Sequence, residues 1–402
     1  MNLKVHTYIS LLYFVLAAFL GVVLRSAQLV QIPLTYKFTV HTHSHIALLG
    51  WVYVALTTLF YKLFIKGEEH STTFRRIFWF TQVTLVGMLL SFPFQGYALF
   101  SIIFSTLFLI ASYWFMFFFL RKVSEDVKKT NAFKCARMAL WYMVLSSIGP
   151  WALGAIMNTL GATSILYKMS IYFYLHFQYN GWMVLALLAI FLYLLEEHNL
   201  VVSPKVFNHF FRWTNLGIVL SFFLSTLWVK PHTFFYIIGG VGAIFQLMGI
   251  GALLILLLRH RVGLVKIFNT VQLKLLVLLA FLFGIKMVLQ LVTAIPFFAN
   301  LAATIIDFTI GYLHLTFLGV VTIGLFLFLN YFELLQLSKK ALVLYIVGFL
   351  FTEVLIFNKG IMVLNRWPIF NGYFEVLAFS SFLIPVALLM VLVNNFKQKR
   401  NY

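Results

Sequence analysis

His41-Thr42-His43-Ser44-His45 runs without a break into Ile46-Ala47-Leu48-Leu49-Gly50-Trp51-Val52-Tyr53-Val54-Ala55-Leu56, and the reading of this stretch decides the fold. No Asp, Glu, Lys or Arg occurs between Lys37 and Lys62. That interval exceeds the roughly 20 residues a helix needs to cross the hydrocarbon of a bilayer. The pattern recurs along all 402 residues: long apolar runs divided by short basic clusters. The chain is 63% hydrophobic and only 10% charged, against about 25% charged residues in an ordinary soluble domain. An all-α polytopic membrane protein follows, in direct contact with the lipid bilayer.

Apolar windows bounded by charge, proline or polar clusters predict twelve spans at 8–30, 39–65, 76–95, 97–120, 136–160, 168–195, 211–229, 233–258, 271–295, 300–330, 341–358 and 371–394. The first run is too long for a signal-peptide core and reads as a retained span. The least marked divisions fall at Pro93-Phe94-Gln95-Gly96 and at Lys230-Pro231. No loop is long enough for a separate domain, so residues 1–402 read as one transmembrane domain, with no internal repeat evident.

Charge gives the orientation. Of 29 Lys and Arg, twenty-one lie at one set of span ends, from Lys62 through Lys134 and Lys266 to Lys399 and Arg400. Only Arg25, Lys37, Lys168, Lys230, Lys359 and Arg366 lie at the other. The positive-inside rule then puts both termini in the cytoplasm. It also accounts for the net charge of +19 without a nucleic-acid partner. Cys135 is the single cysteine, which leaves no internal disulfide, no thiolate-held iron–sulfur cluster and no covalent haem through paired cysteines.

Eleven histidines are present. His6, His70, His198, His209 and His260 fall at a terminus or in cytoplasmic loops and read as solvated. His45 and His176 lie about 9 and 12 Å into spans two and six. His314 lies in span ten, where Asp307 suggests that the hydrocarbon begins, and His232 follows span seven on the same outer side. Ionisable groups at membrane depth are costly and point to function, and imidazole is a common ligand for haem iron, copper and zinc. Around the helix, 41 and 45 share a face while 43 points away. His45 is the deepest and the first ligand candidate, and His43 the second.

At this point the residues resemble a family. His43-Ser-His-Ile-Ala-Leu-Leu-Gly-Trp51 is similar to the second-helix haem-ligand motif of haem–copper oxidase subunit I, whose superfamily includes cytochrome oxidases and nitric oxide reductases. Twelve spans, cytoplasmic termini and buried histidines on spans two, six and ten match that layout. The resemblance implies His45 and His314 as axial ligands of a non-covalent, b-type or similar haem. It implies His176 and His232 as ligands of a second metal, copper or iron. Arg366 falls in the loop whose arginines hold haem propionates, where a guanidinium binds carboxylates well, and Trp367 stands beside it. The expected protein binds haem for electron transfer, or for binding or reducing O2 or NO, at the outer side of a bacterial cytoplasmic membrane. An electron-donor protein or quinol, and respiratory subunits, would be its partners.

The departures are specific. The family's paired helix-ten histidines are Tyr312-Leu313-His314 here, so Tyr312 stands where a second haem ligand would be. The helix-seven pair is Pro231-His232, and His176 is followed by Phe177 and Gln178. The binuclear centre is therefore incomplete; any enzyme activity would be that of an oxidoreductase of this superfamily. Two other readings stand beside it. One is a secondary transporter using Lys286, Asp307 and Glu353 as coupling charges. The other is an accessory protein handling haem or copper during assembly of a respiratory complex.

Overall fold

The computed structural model describes residues 2–200 and 202–399, so Arg400, counted above with the cytoplasmic charges, lies outside the described residues. Among them there are helices and connecting turns and no strand. Twelve helical segments are long and apolar enough to span a membrane. They run 3–26, 36–64, 71–95, 99–122, 131–159, 165–197, 204–229, 233–259, 270–292, 306–331, 339–364 and 373–397. The protein is a multi-pass, all-α integral membrane protein. Large side chains such as Leu90, Phe94 and Phe379 stand 64%, 78% and 67% exposed, and in a spanning helix that surface faces acyl chains.

The expected boundaries lie within seven residues of the observed ones, span seven starting at 204 and span eleven running on to 364, and two other differences are informative. Span ten starts at Ile306, and residues 296–304 form a separate short helix begun by Pro296. The first span starts earlier than expected, and His6 is inside it: 5% exposed, with its ring stacked on Phe78 at 3.6 Å. The terminal, solvated position expected for His6 is thus corrected. Its neighbours are aromatic, and the apolar face of an imidazole packs as they do.

Two compact units divide the chain, one from 1–124 with 325–402 and the other from 125–324. In the first, the span at 3–26 packs on those at 36–64 and 373–399, and two hairpins pair 71–95 with 99–122 and 339–364 with 373–399. In the second, 131–146 packs on 165–197, 204–221 pairs with 233–259, and 270–292 lies against 315–321.

A regularity absent from the sequence reading emerges here. Spans two, six and ten each change from α to π geometry directly after a histidine: His45 before 46–53, His176 before 177–183 and His314 before 315–321. Each π segment carries a glycine five residues after that histidine, at Gly50, Gly181 and Gly319. Each also packs on the span before it, at 3–26, 131–146 and 270–292. The glycines explain two of these contacts. A Cβ on Gly50 would come 2.7 Å from Tyr13 Cβ, and one on Gly181 would come 2.6 Å from Tyr142 Cβ. Spans two, six and ten, each four spans from the next, thus share one local motif of histidine, π segment and glycine. In the residues it amounts to His-x4-Gly, too short to stand out in sequence.

Candidate functional site

The three histidines lie at similar distances from the starts of their helices. His45 stands nine residues after Tyr36, His176 eleven after Ile165 and His314 eight after Ile306, or about 12–16 Å along their helices. π segments interrupt the regular ladder and are often found at functional positions. Here they fix where each imidazole leaves its helix.

In the first unit, His45 Nδ1 lies 2.8 Å from the His41 carbonyl oxygen. A carbonyl only accepts, so Nδ1 carries the proton and the lone pair sits on Nε2. That nitrogen lies 3.3 Å from the Tyr97 hydroxyl, which donates to it. Tyr97 follows Gly96, whose φ of +59° and contact with Phe38 leave no room for a side chain. The turn between spans three and four, one of the two least marked in sequence, thus delivers a phenol to His45. Phe92 packs on the same ring, with centroids 4.5 Å apart. His43 faces the other way, its Nδ1 donating to the Ala17 carbonyl of span one at 2.8 Å.

This is the arrangement that suits an imidazole to a metal. One ring nitrogen is pinned by a backbone carbonyl, which sets the tautomer and raises the basicity of the other. His45 would fit as a ligand to iron through Nε2, the nitrogen that faces Tyr97. Tyr97 had no signal in the sequence, since it lies in a turn far from the histidine motif.

Arg366 and Trp367 terminate span eleven. Arg366 adopts a left-handed φ of +56°, and Trp367 N–H donates to the Met362 carbonyl at 2.9 Å, closing the helix end. Both side chains are exposed. His314 is half-buried at the start of its π segment.

The second unit holds a polar cluster in its core. His176 is 2% exposed, and its Nε2 donates to the Ile218 carbonyl at 2.8 Å. Its Nδ1 is therefore the acceptor, and it faces the Asn180 amide and the Ser225 hydroxyl, both at 3.3 Å. Asn180 Oδ1 in turn accepts from Lys286. Lys286 is 1% exposed, donates to Gln290 Oε1 at 2.6 Å, and lies 5.8 and 6.0 Å from the ring centres of Tyr179 and Tyr312. Tyr312 O–H donates to the same Gln290 oxygen at 3.4 Å. Gln178 donates separately to Ser146.

These bonds do not fit the second metal site implied for His176 and His232. Both nitrogens of His176 are engaged, as those of His45 are, but here Asn180, at the acceptor nitrogen, is itself bonded to the Lys286 ammonium, which a cation would face. His232 is exposed and caps the eighth span, its Nδ1 accepting from Phe234 N–H at 3.3 Å. Among the described residues no three His, Cys, Asp or Glu side chains converge as a metal-holding group. Tyr312, considered as a haem ligand, bonds to Gln290 instead. Lys286 stood out in the sequence as a charge within a span; that it joins Asn180 and His176 in one cluster, 106 residues from Asn180, had no linear signal.

No protein-family model matches the chain, and no curated protein matches it in sequence.

Proposed function

We propose that this protein is a haem-binding integral membrane protein that transfers electrons, or binds or reduces a diatomic gas, near the outer face of the bilayer. The observation that carries the reading is His45: its Nδ1 proton is held by the His41 carbonyl, and its Nε2 lone pair is presented beside Tyr97. His314 occupies the equivalent point of its own span, before an equivalent π segment. Bound haem would supply one-electron chemistry and a place for a small gas. The protein's part is to hold the imidazole in one tautomer and to surround it with Phe92 and Tyr97. Arg366, in the loop after span eleven, is the cation proposed for the propionates.

The test is a visible absorption spectrum of the purified protein after haem reconstitution, oxidised and reduced. Sharp reduced bands of a bis-imidazole haem are expected, lost in His45→Ala and in His314→Ala and kept in His176→Ala. A protein that stays colourless after reconstitution would sink this reading.

One observation favours a second reading. Many transporters have spanning helices interrupted at corresponding places of the chain, and here a π segment follows a histidine in each of spans two, six and ten. Under that reading the histidines are structural, and purified protein in liposomes moves a solute while binding no haem.

A further inference from the structure

The cluster around Lys286 contains a cation and unspent donors but no anion. Burying an ammonium in the core of a membrane protein costs several kcal/mol unless it is paired. Among the described residues no carboxylate lies within ion-pair distance of Lys286. Two of its three N–H donors are taken by the amide oxygens of Asn180 and Gln290. The third has only the Met287 sulfur at 3.9 Å, a weak acceptor. Next to it, Gln290 is 6% exposed and its Nε2 has no hydrogen-bond partner. The orientation of that amide is set, because Lys286 and Tyr312 both donate to its oxygen. Two N–H donors are therefore left buried beside a positive charge, which is costly if nothing accepts from them.

One ligand settles both deficits. We propose that Lys286 and the Gln290 amide form a binding site for a small monovalent anion in the second unit, where the resemblance would have placed a metal. The anion accepts from the third N–H of Lys286 and from Gln290 Nε2, and the ammonium supplies the charge. Asn180 holds Lys286 in place and is itself held by His176, whose proton is fixed on Nε2 by Ile218. A divalent cation on His176 Nδ1 would displace Asn180 and Ser225 and face the ammonium, so the two kinds of ligand exclude each other. Gln290 lies two residues from Val292, the end of its span on the side that the charge pattern assigns to the outside, which gives a short route of entry. The site stands whether or not haem is bound.

The experiment uses the full-length protein in detergent, with chloride replacing gluconate at constant ionic strength and Tm read from tryptophan fluorescence. A saturable rise of about 3–6 °C is expected. Lys286→Met, an apolar side chain of similar length that removes the buried charge, should fold and show no chloride dependence. Gln290→Leu should shift the midpoint at least ten-fold to higher chloride. Absence of any rise in the wild type, or a rise that survives in Lys286→Met, overturns the proposal. So does a saturable rise with copper or zinc that is lost in His176→Ala, which would make the site a metal site. Haem spectra of the same samples report separately on the proposed function.

Discussion

His45 and His176 carry the same side chain at the same point of two spans, yet they hold their protons on opposite nitrogens. His45 gives Nδ1–H to a carbonyl one turn back on its own helix, while His176 gives Nε2–H to Ile218 on another span. Replacing His176 by Leu strips Ile218, Asn180 and Ser225 of a partner at once. The expected loss is about 2–4 kcal/mol, read as a fall in Tm, with partial recovery in His176→Gln. Arg366 offers a second test at this scale. A glycine suits its left-handed backbone better, so Arg366→Gly should stabilise the isolated protein by about 0.5–1 kcal/mol. If the guanidinium also holds haem propionates, the same substitution weakens haem retention, measured by transfer to a competing haem acceptor. Stability and retention then move in opposite directions.

At the scale of elements, the π segments depend on small residues facing large ones. Gly50→Ala and Gly181→Ala each force a Cβ into the backbone side of a tyrosine on the neighbouring span. A cost of about 1–3 kcal/mol is expected for each, measured by thermal unfolding, since a packed interface cannot part freely. Gly154→Ala, where an added Cβ meets nothing within 4 Å, is the control and should be near neutral. Another device closes the N-terminal end of span five. The Glu196 carboxylate accepts from the Asn131 and Ala132 N–H groups at 2.8 and 3.4 Å, capping the first turn with negative charge. Glu196→Ala should cost about 1–2 kcal/mol.

For the whole molecule, twelve spans would put both termini on one side of the membrane, and the positive-inside rule predicts that side to be the cytoplasm. Reporter fusions should therefore be active in the cytoplasm at either terminus and outside after Lys230 or Asn365. An odd count from such fusions would overturn the topology. The boundary between the two compact units falls late in span ten, after Gly324, so that most of the span belongs to one unit and only its last turns to the other.

Sequence by itself determined the class of protein, the number of spans and their approximate ends, because crossing hydrocarbon imposes a length and a hydropathy that no folding partner can alter. It also picked out His45, His176 and His314 at matched depth, since an ionisable residue in an apolar run is visible one residue at a time. It missed the burial of His6, the approach of Tyr97 to His45 and the repeat of histidine, π segment and glycine. Each of these depends on what a neighbouring span presents. Only the tertiary structure decided that the acceptor nitrogen of His176 faces Asn180 and Ser225 while that of His45 faces the Tyr97 hydroxyl. The tautomer of an imidazole is set by the groups brought against its two nitrogens, and those groups come from turns and spans that linear spacing does not bring together.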